Sequence, residues 1–159
     1  MHYLCSNEMI MSKVDKYVAL ISRIQSVLAG ETDEIARMSN MAALLHFEFG
    51  FWWTGFYRVV STDDLVLGPF QGPVACTRIK KGRGVCGTSW SEERTLVVPD
   101  VEQFPGHIAC SSESRSEIVV PCRKSGQIVA VLDIDSKELA TFDEVDKEYL
   151  EQIVSMYLI

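Results

Sequence analysis

Residues 116–135 read SEIVVPCRKSGQIVAVLDID, and the fold turns on how they are read. SEIVVPCR and QIVAVLDID are apolar and rich in β-branched residues, as strands should be. Lys124-Ser125-Gly126 supplies turn chemistry between them, so the pair forms a hairpin. The loop length matters, because a slip of one residue sends every side chain to the opposite face. A two-residue loop at Ser125-Gly126 puts Glu117 opposite Ile134, away from Asp133 and Asp135. A three-residue loop, Lys124-Ser125-Gly126 with Gly126 left-handed, pairs Glu117 with Asp133. The second reading is preferred because it gathers three acids on one face. The alternative is that the acids are simply solvated at a strand end. Cys122 alternates with Ile118 and Val120 and is read as core.

Outward from the hairpin, the pattern changes period. Val14, Tyr17, Val18, Ile21, Ile24 and Leu28 fall at helical spacing, and Gly30 stops the run. A second helix is expected after Thr32, carrying Ile35, Met38, Ala42, Leu45 and Phe49, with Gly50 following it. WWTGFYRVV and LVLGPF read as a strand pair across Ser61–Asp64. Residues 72–94 are glycine-punctuated and mostly irregular, with a short helix after Gly84. TLVVPD is a short strand, and 101–114 a loop. Thr141 and Glu144 form a capping-box pattern. It opens a final helix with Phe142, Val145, Tyr149, Ile153 and Met156 as its stripe. That helix reaches Ile159 without a cap and is expected to continue. The order predicts one α+β domain over residues 1–159, with 1–12 loose. Helices should cover one face of an antiparallel sheet, and the loops should close a pocket on the other.

The chain has 159 residues, 47% of them hydrophobic and 23% charged, which is ordinary for a globular domain. A net charge of -7 argues against bulk attraction to nucleic acid or anionic lipid. No membrane span and no signal peptide are expected, so the five cysteines read as cytoplasmic thiols rather than a disulfide framework.

Cys76, Cys86 and Cys110 lie within 35 residues, a density that admits redox chemistry, a metal site or three small buried side chains. Zinc spacing is poor, because there is no CxxC pair and the histidines are His2, His46 and His107. No metal is expected. Cys110 follows Pro105-Gly106-His107 and precedes a polar run, where His107 and Arg115 could favour its thiolate. Cys86 opens a short helix in GRGVCG, where backbone N–H groups can hold an anion and lower a thiol pKa. The plainer reading of GRGVCG is a tight turn. Glu117, Asp133 and Asp135 would raise one another's pKa if gathered in a dry pocket, leaving one protonated as a donor. Trp53 and Tyr57 share a strand face and could form an aromatic wall, or ordinary core.

WTGFY, LVLGPFQG, ACTRI, GRGVCGT, GHIAC, SEIVVP and QIVAVLDIDS together resemble the free methionine-(R)-sulfoxide reductases, enzymes on a GAF-domain fold. The resemblance covers about residues 30–158. It implies a GAF-like domain that reduces free methionine (R)-sulfoxide with thiols, thioredoxin as the reductant and no bound cofactor. By motif, Cys110 looks like the attacking residue and Cys76 the resolving one. Cys86 matches the third family cysteine, as a second resolving thiol, a relay or even the nucleophile. Glu117, Asp133 and Asp135 match substrate-binding acids, and Trp53 and Tyr57 match aromatic positions that cradle the methyl group. The substrate carboxylate would meet backbone N–H groups around Arg83, Gly84 and Val85. Cys122 departs from the family's usual apolar residue, and Cys5 has no counterpart. The final helix is short of the usual length, and a homodimer is left open. The competing readings are a non-catalytic GAF module that binds a small ligand and a thiol redox sensor.

Overall fold

The computed structural model describes residues 10–107 and 112–157; Cys5 and Cys110 lie outside them. Two helices come first, α1 at Lys13–Leu28 and α2 at Glu34–Phe49. Strands β1 (Trp53–Val59), β2 (Asp64–Gln71) and β3 (Arg78–Lys80) follow, then helix α3 (Gly84–Glu92). Strands β4 (Leu96–Val98), β5 (Ser116–Lys124) and β6 (Gln127–Ser136) precede the last helix, α4 (Glu144–Tyr157). The sheet runs β3-β2-β1-β6-β5-β4, with every pairing antiparallel. It is two three-strand meanders joined where β1 meets β6.

Side-chain alternation divides the sheet into two different faces. Phe56, Ile118, Val120, Cys122, Ala130, Leu132 and Ile134 face a core shared with α1, α2 and α4. Cys122 is therefore core, as its alternation suggested. Trp53, Tyr57, Val119 and Val131 face the other way, into a second cluster with Cys86 and Trp90 of α3.

The hairpin differs from its expected geometry. Lys124 pairs with Gln127, so the turn is Ser125-Gly126 alone, with both residues at positive φ (51° and 78°). Such a two-residue turn by itself would set Glu117 against Ile134. A bulge intervenes: Cys122 pairs with Ala130 and Arg123 with Ile128, leaving Val129 extra. One added residue restores the face. Glu117 lies opposite Asp135, and Val119 opposite Asp133. The three-residue loop is absent, yet the three acids still share a face.

Other differences are local. The buried stripe of α1 is Tyr17, Leu20, Ile24 and Leu28; Val14 and Val18, like Ile35 and Met156 in the later helices, are exposed. Strand β3 went unread because three residues carry no period, and only pairing with Asp64–Val66 makes them a strand. The capping box of α4 is Asp143 with Asp146, while Thr141 Oγ1 donates instead to Ser136 Oγ and to the Glu138 carbonyl.

Asp146 also ties α4 to α1. It is 1% exposed, accepts from Tyr17 Oη at 2.8 Å and pairs with Lys13 Nζ at 2.7 Å. Truncating Asp146 leaves the Tyr17 hydroxyl buried without its acceptor and removes one of the two carboxylates paired with the partly exposed Lys13. Asp146→Ala should therefore cost about 3 kcal/mol in guanidinium unfolding, and Tyr17→Phe only about 1 kcal/mol.

Candidate active site

Strands β1, β3, β5 and β6, the start of α3 and the adjoining loops line a cleft of about 610 Å³, counting its open mouth. Strands β1, β5 and β6 bring Trp53 and Tyr57, Glu117, and Asp133 with Asp135; the start of α3 brings Arg83, Gly84, Val85 and Cys86. Every expected site residue within the described residues thus lines this cleft except Cys76, whose neighbour Ala75 does. Cys110 lies outside the described residues.

The aromatic wall is built by stacking. Trp53 stacks on Phe70 with centroids 5.3 Å apart and on Tyr57 at 5.9 Å. Gly55 lies beneath it, and a Cβ there would overlap Phe70 and the Trp53 ring. The polar tips of the wall hold the adjoining loop. Trp53 Nε1 donates to the Pro73 carbonyl at 3.0 Å, and Tyr57 Oη to the Cys76 carbonyl at 2.9 Å. Gly72 lets the chain turn there, at φ 123°, where a side chain would strike Trp53. Cys76 is disulfide-bonded, whereas Cys86 and Cys122 are free.

Helix α3 starts without a side-chain cap, and Gly84 has φ 61°. Its first N–H groups have no intrahelical acceptor, and they point partial positive charge at the cleft. The glycines make the turn, and Arg83, Gly84, Val85 and Cys86 at the helix start line the cleft. A Cβ at Gly87 would overlap the Lys80 carbonyl, so the helix can seat only on glycine.

A GAF domain family model matches residues 23–157. The chain is 57% identical to GAF domain-containing protein A of Dictyostelium discoideum, over 91% of this chain and 92% of that one. It is 44% identical to the free methionine-R-sulfoxide reductase of Escherichia coli, over 91% and 88%. Among solved structures, the free methionine-R-sulfoxide reductase of Neisseria meningitidis in complex with its substrate superposes with a TM-score of 0.91 at 51% identity. That match covers 93% of this chain and 89% of the other. The chain belongs to the GAF-domain family that contains the free methionine-R-sulfoxide reductases.

The electrostatics of this GAF domain's cleft are governed by burial. Glu117 and Asp133 are each 6% exposed. Burial, with the neighbouring carboxyls adding to it, raises both well above the usual carboxylate range. Asp133 Oδ1 is buried with no hydrogen-bond partner. Burial also pushes Asp135 up, to about 6, against the opposing effect of Ser114 Oγ, which donates to its Oδ1 at 2.6 Å and favours the ionised form. Of the three, Asp135 is the acid whose ionised form is disfavoured least.

One expectation about the thiols changes. Burial, then the charges of Asp133, Glu117 and Asp135, lift the Cys86 thiol well above its ordinary value. This outweighs the helix end, so Cys86 is a thiol and not a thiolate. His107 lines the cleft, where burial lowers its pKa, and Arg115 is exposed; their expected effect on Cys110 lies outside the described residues. Cys86 Sγ and carboxylate oxygens of Glu117 and Asp133 lie within 4.8 Å of one another, close enough to share a metal ion. Sequence spacing gave no hint of that grouping.

Trp52 and Ser114 also line the cleft and were not anticipated. Lys137 Nζ lies 3.5 Å from the Trp52 ring centroid. Neither contact has a local sequence signal, since each joins residues far apart in the chain.

The raised carboxyl pKa values imply a pH-dependent stability of definite sign. The folded state holds protons that the unfolded chain releases near pH 4, so stability falls as pH rises through the folded-state values. Asp133→Asn removes one such group. Its thermal midpoint should exceed that of the parent by about 3 °C at pH 8, the scale of 1 kcal/mol. The gap should close near pH 4, as read by calorimetry on reduced protein.

Proposed function

We propose that this chain reduces the R epimer of free methionine sulfoxide to methionine by thiol chemistry. The observation that carries the reading is the grouping of Glu117, Asp133 and Asp135 beside Trp53 and an uncapped helix end. A free amino acid presents an ammonium, a carboxylate and a side chain, and the cleft offers a counterpart to each. Asp135, ionised, takes the ammonium group. The N–H groups around Arg83, Gly84 and Val85 take the carboxylate. Trp53 and Tyr57 bound the methyl end. The relatives and substrate complex named above support this assignment.

The redox steps follow from the thiols. A thiolate at Cys110 attacks the sulfoxide sulfur while the Glu117–Asp133 pair passes a proton to the sulfoxide oxygen. That oxygen leaves on Cys110 as a sulfenic acid, and methionine departs with its thioether restored. Cys76 then condenses with the sulfenic acid, forming a disulfide and expelling water. A dithiol protein such as thioredoxin reduces the disulfide and is itself oxidised. The bonded state of Cys76 and the buried, protonated state of Cys86 favour Cys76 as the resolving thiol and leave Cys86 as a relay.

Purified protein with dithiothreitol or thioredoxin should consume the R epimer and spare the S epimer. N-acetyl-methionine sulfoxide, which lacks the ammonium group, should not turn over. Absence of R-epimer reduction by the parent protein, or repeated turnover by Cys110→Ser, overturns the reading. Within it, Glu117→Gln should lower kcat by about 100-fold or more, the scale of a lost proton donor. Asp135→Asn should act mainly on KM.

A further inference from the structure

Ser114 is the side chain that makes Asp135 unlike the other two acids. It is 9% exposed, lines the cleft and donates to Asp135 Oδ1 at 2.6 Å. The backbone of the next residue, Arg115, is held by two hydrogen bonds. Arg115 N donates to the Ser136 carbonyl at 2.7 Å and Val101 N to the Arg115 carbonyl at 3.0 Å. The preceding residue, Glu113, pairs with Lys137 at 2.9 Å, and Lys137 in turn lies over Trp52. The hydroxyl is therefore fixed before any ligand arrives. Among the described residues, Glu117 and Asp133 accept no such bond from a hydroxyl.

We propose that Ser114 is a positioning residue for ligand binding, orienting the Asp135 carboxylate to receive a ligand's ammonium group. The inference rests on the proposed function for the identity of that ligand, but not for the bond itself. A donor to one carboxylate oxygen leaves the other directed at the cleft and stabilises the ionised form. The titratable and charged groups that line the cleft with Asp135 are Glu117, Asp133, Cys86, Tyr57, His107 and Arg83. None replaces the hydroxyl as a neutral donor fixed on Asp135.

The test is ¹³C NMR titration of the Asp135 carboxyl in reduced Ser114→Ala, alongside steady-state kinetics with free methionine (R)-sulfoxide. The Asp135 pKa should rise by about one unit. KM at pH 7 should rise about tenfold, with kcat changed less than about twofold. Ser114→Thr, which keeps the hydroxyl, should restore both. Should Ser114→Ala not fold, Ser114→Cys offers similar size with only a weak donor and reads the same way. An unmoved Asp135 titration, or a loss confined to kcat, overturns the proposal. The titration needs no turnover, so an inactive parent protein would overturn the reductase reading and leave this bond's role standing.

Discussion

One extra residue, Val129 in β6, decides what the inner face of this sheet can do. Strand β6 is paired on both sides, and its register with β1 is regular from Trp53–Asp135 to Arg58–Ala130. Only the β5 side absorbs the bulge, between Cys122 and Arg123. Without it the tight Ser125-Gly126 turn would send Glu117 into the helix-covered core and Ile118 into the cleft. With it, Ile118, Val120 and Cys122 meet α1, α2 and α4 while Glu117 joins Asp133 and Asp135. The core and the site depend on the same parity.

That parity places three carboxyl groups on one face, two of them almost fully buried, an arrangement burial alone would disfavour. The domain answers it with raised pKa values at Glu117 and Asp133, which favour their neutral forms, and with a hydroxyl partner for Asp135. Stability elsewhere offsets the cost: an apolar core on the opposite face, and the Asp146 clasp between α1 and α4. The same burial raises the Cys86 thiol well above its ordinary value and disfavours its thiolate form.

The aromatic residues do two jobs. Trp53 and Tyr57 give their ring faces to the wall and their polar tips to the backbone of residues 73 and 76. The loop carrying Cys76 is thereby tethered to the sheet rather than left to its own glycines. A thiol on a tethered loop can meet a partner with little loss of chain entropy.

Much of this was legible from residue patterns. Glycine at 50 and 84, alternation in SEIVVP and QIVAVLDID, and helical spacing in α1, α2 and α4 placed the elements, because local sterics and amphipathic period act over a few residues. The type of each site residue was legible too, since acids and cysteines are conspicuous in apolar strands and glycine-rich loops. The bulge, strand β3, the Ser114–Asp135 bond and the Cys86–Glu117–Asp133 grouping were not. Each depends on what a distant segment presents, and no local period encodes it. The sequence by itself determined which elements form and which chemical groups they carry. The tertiary structure alone decided which groups meet and which keep their protons, because register and burial are properties of the packed sheet.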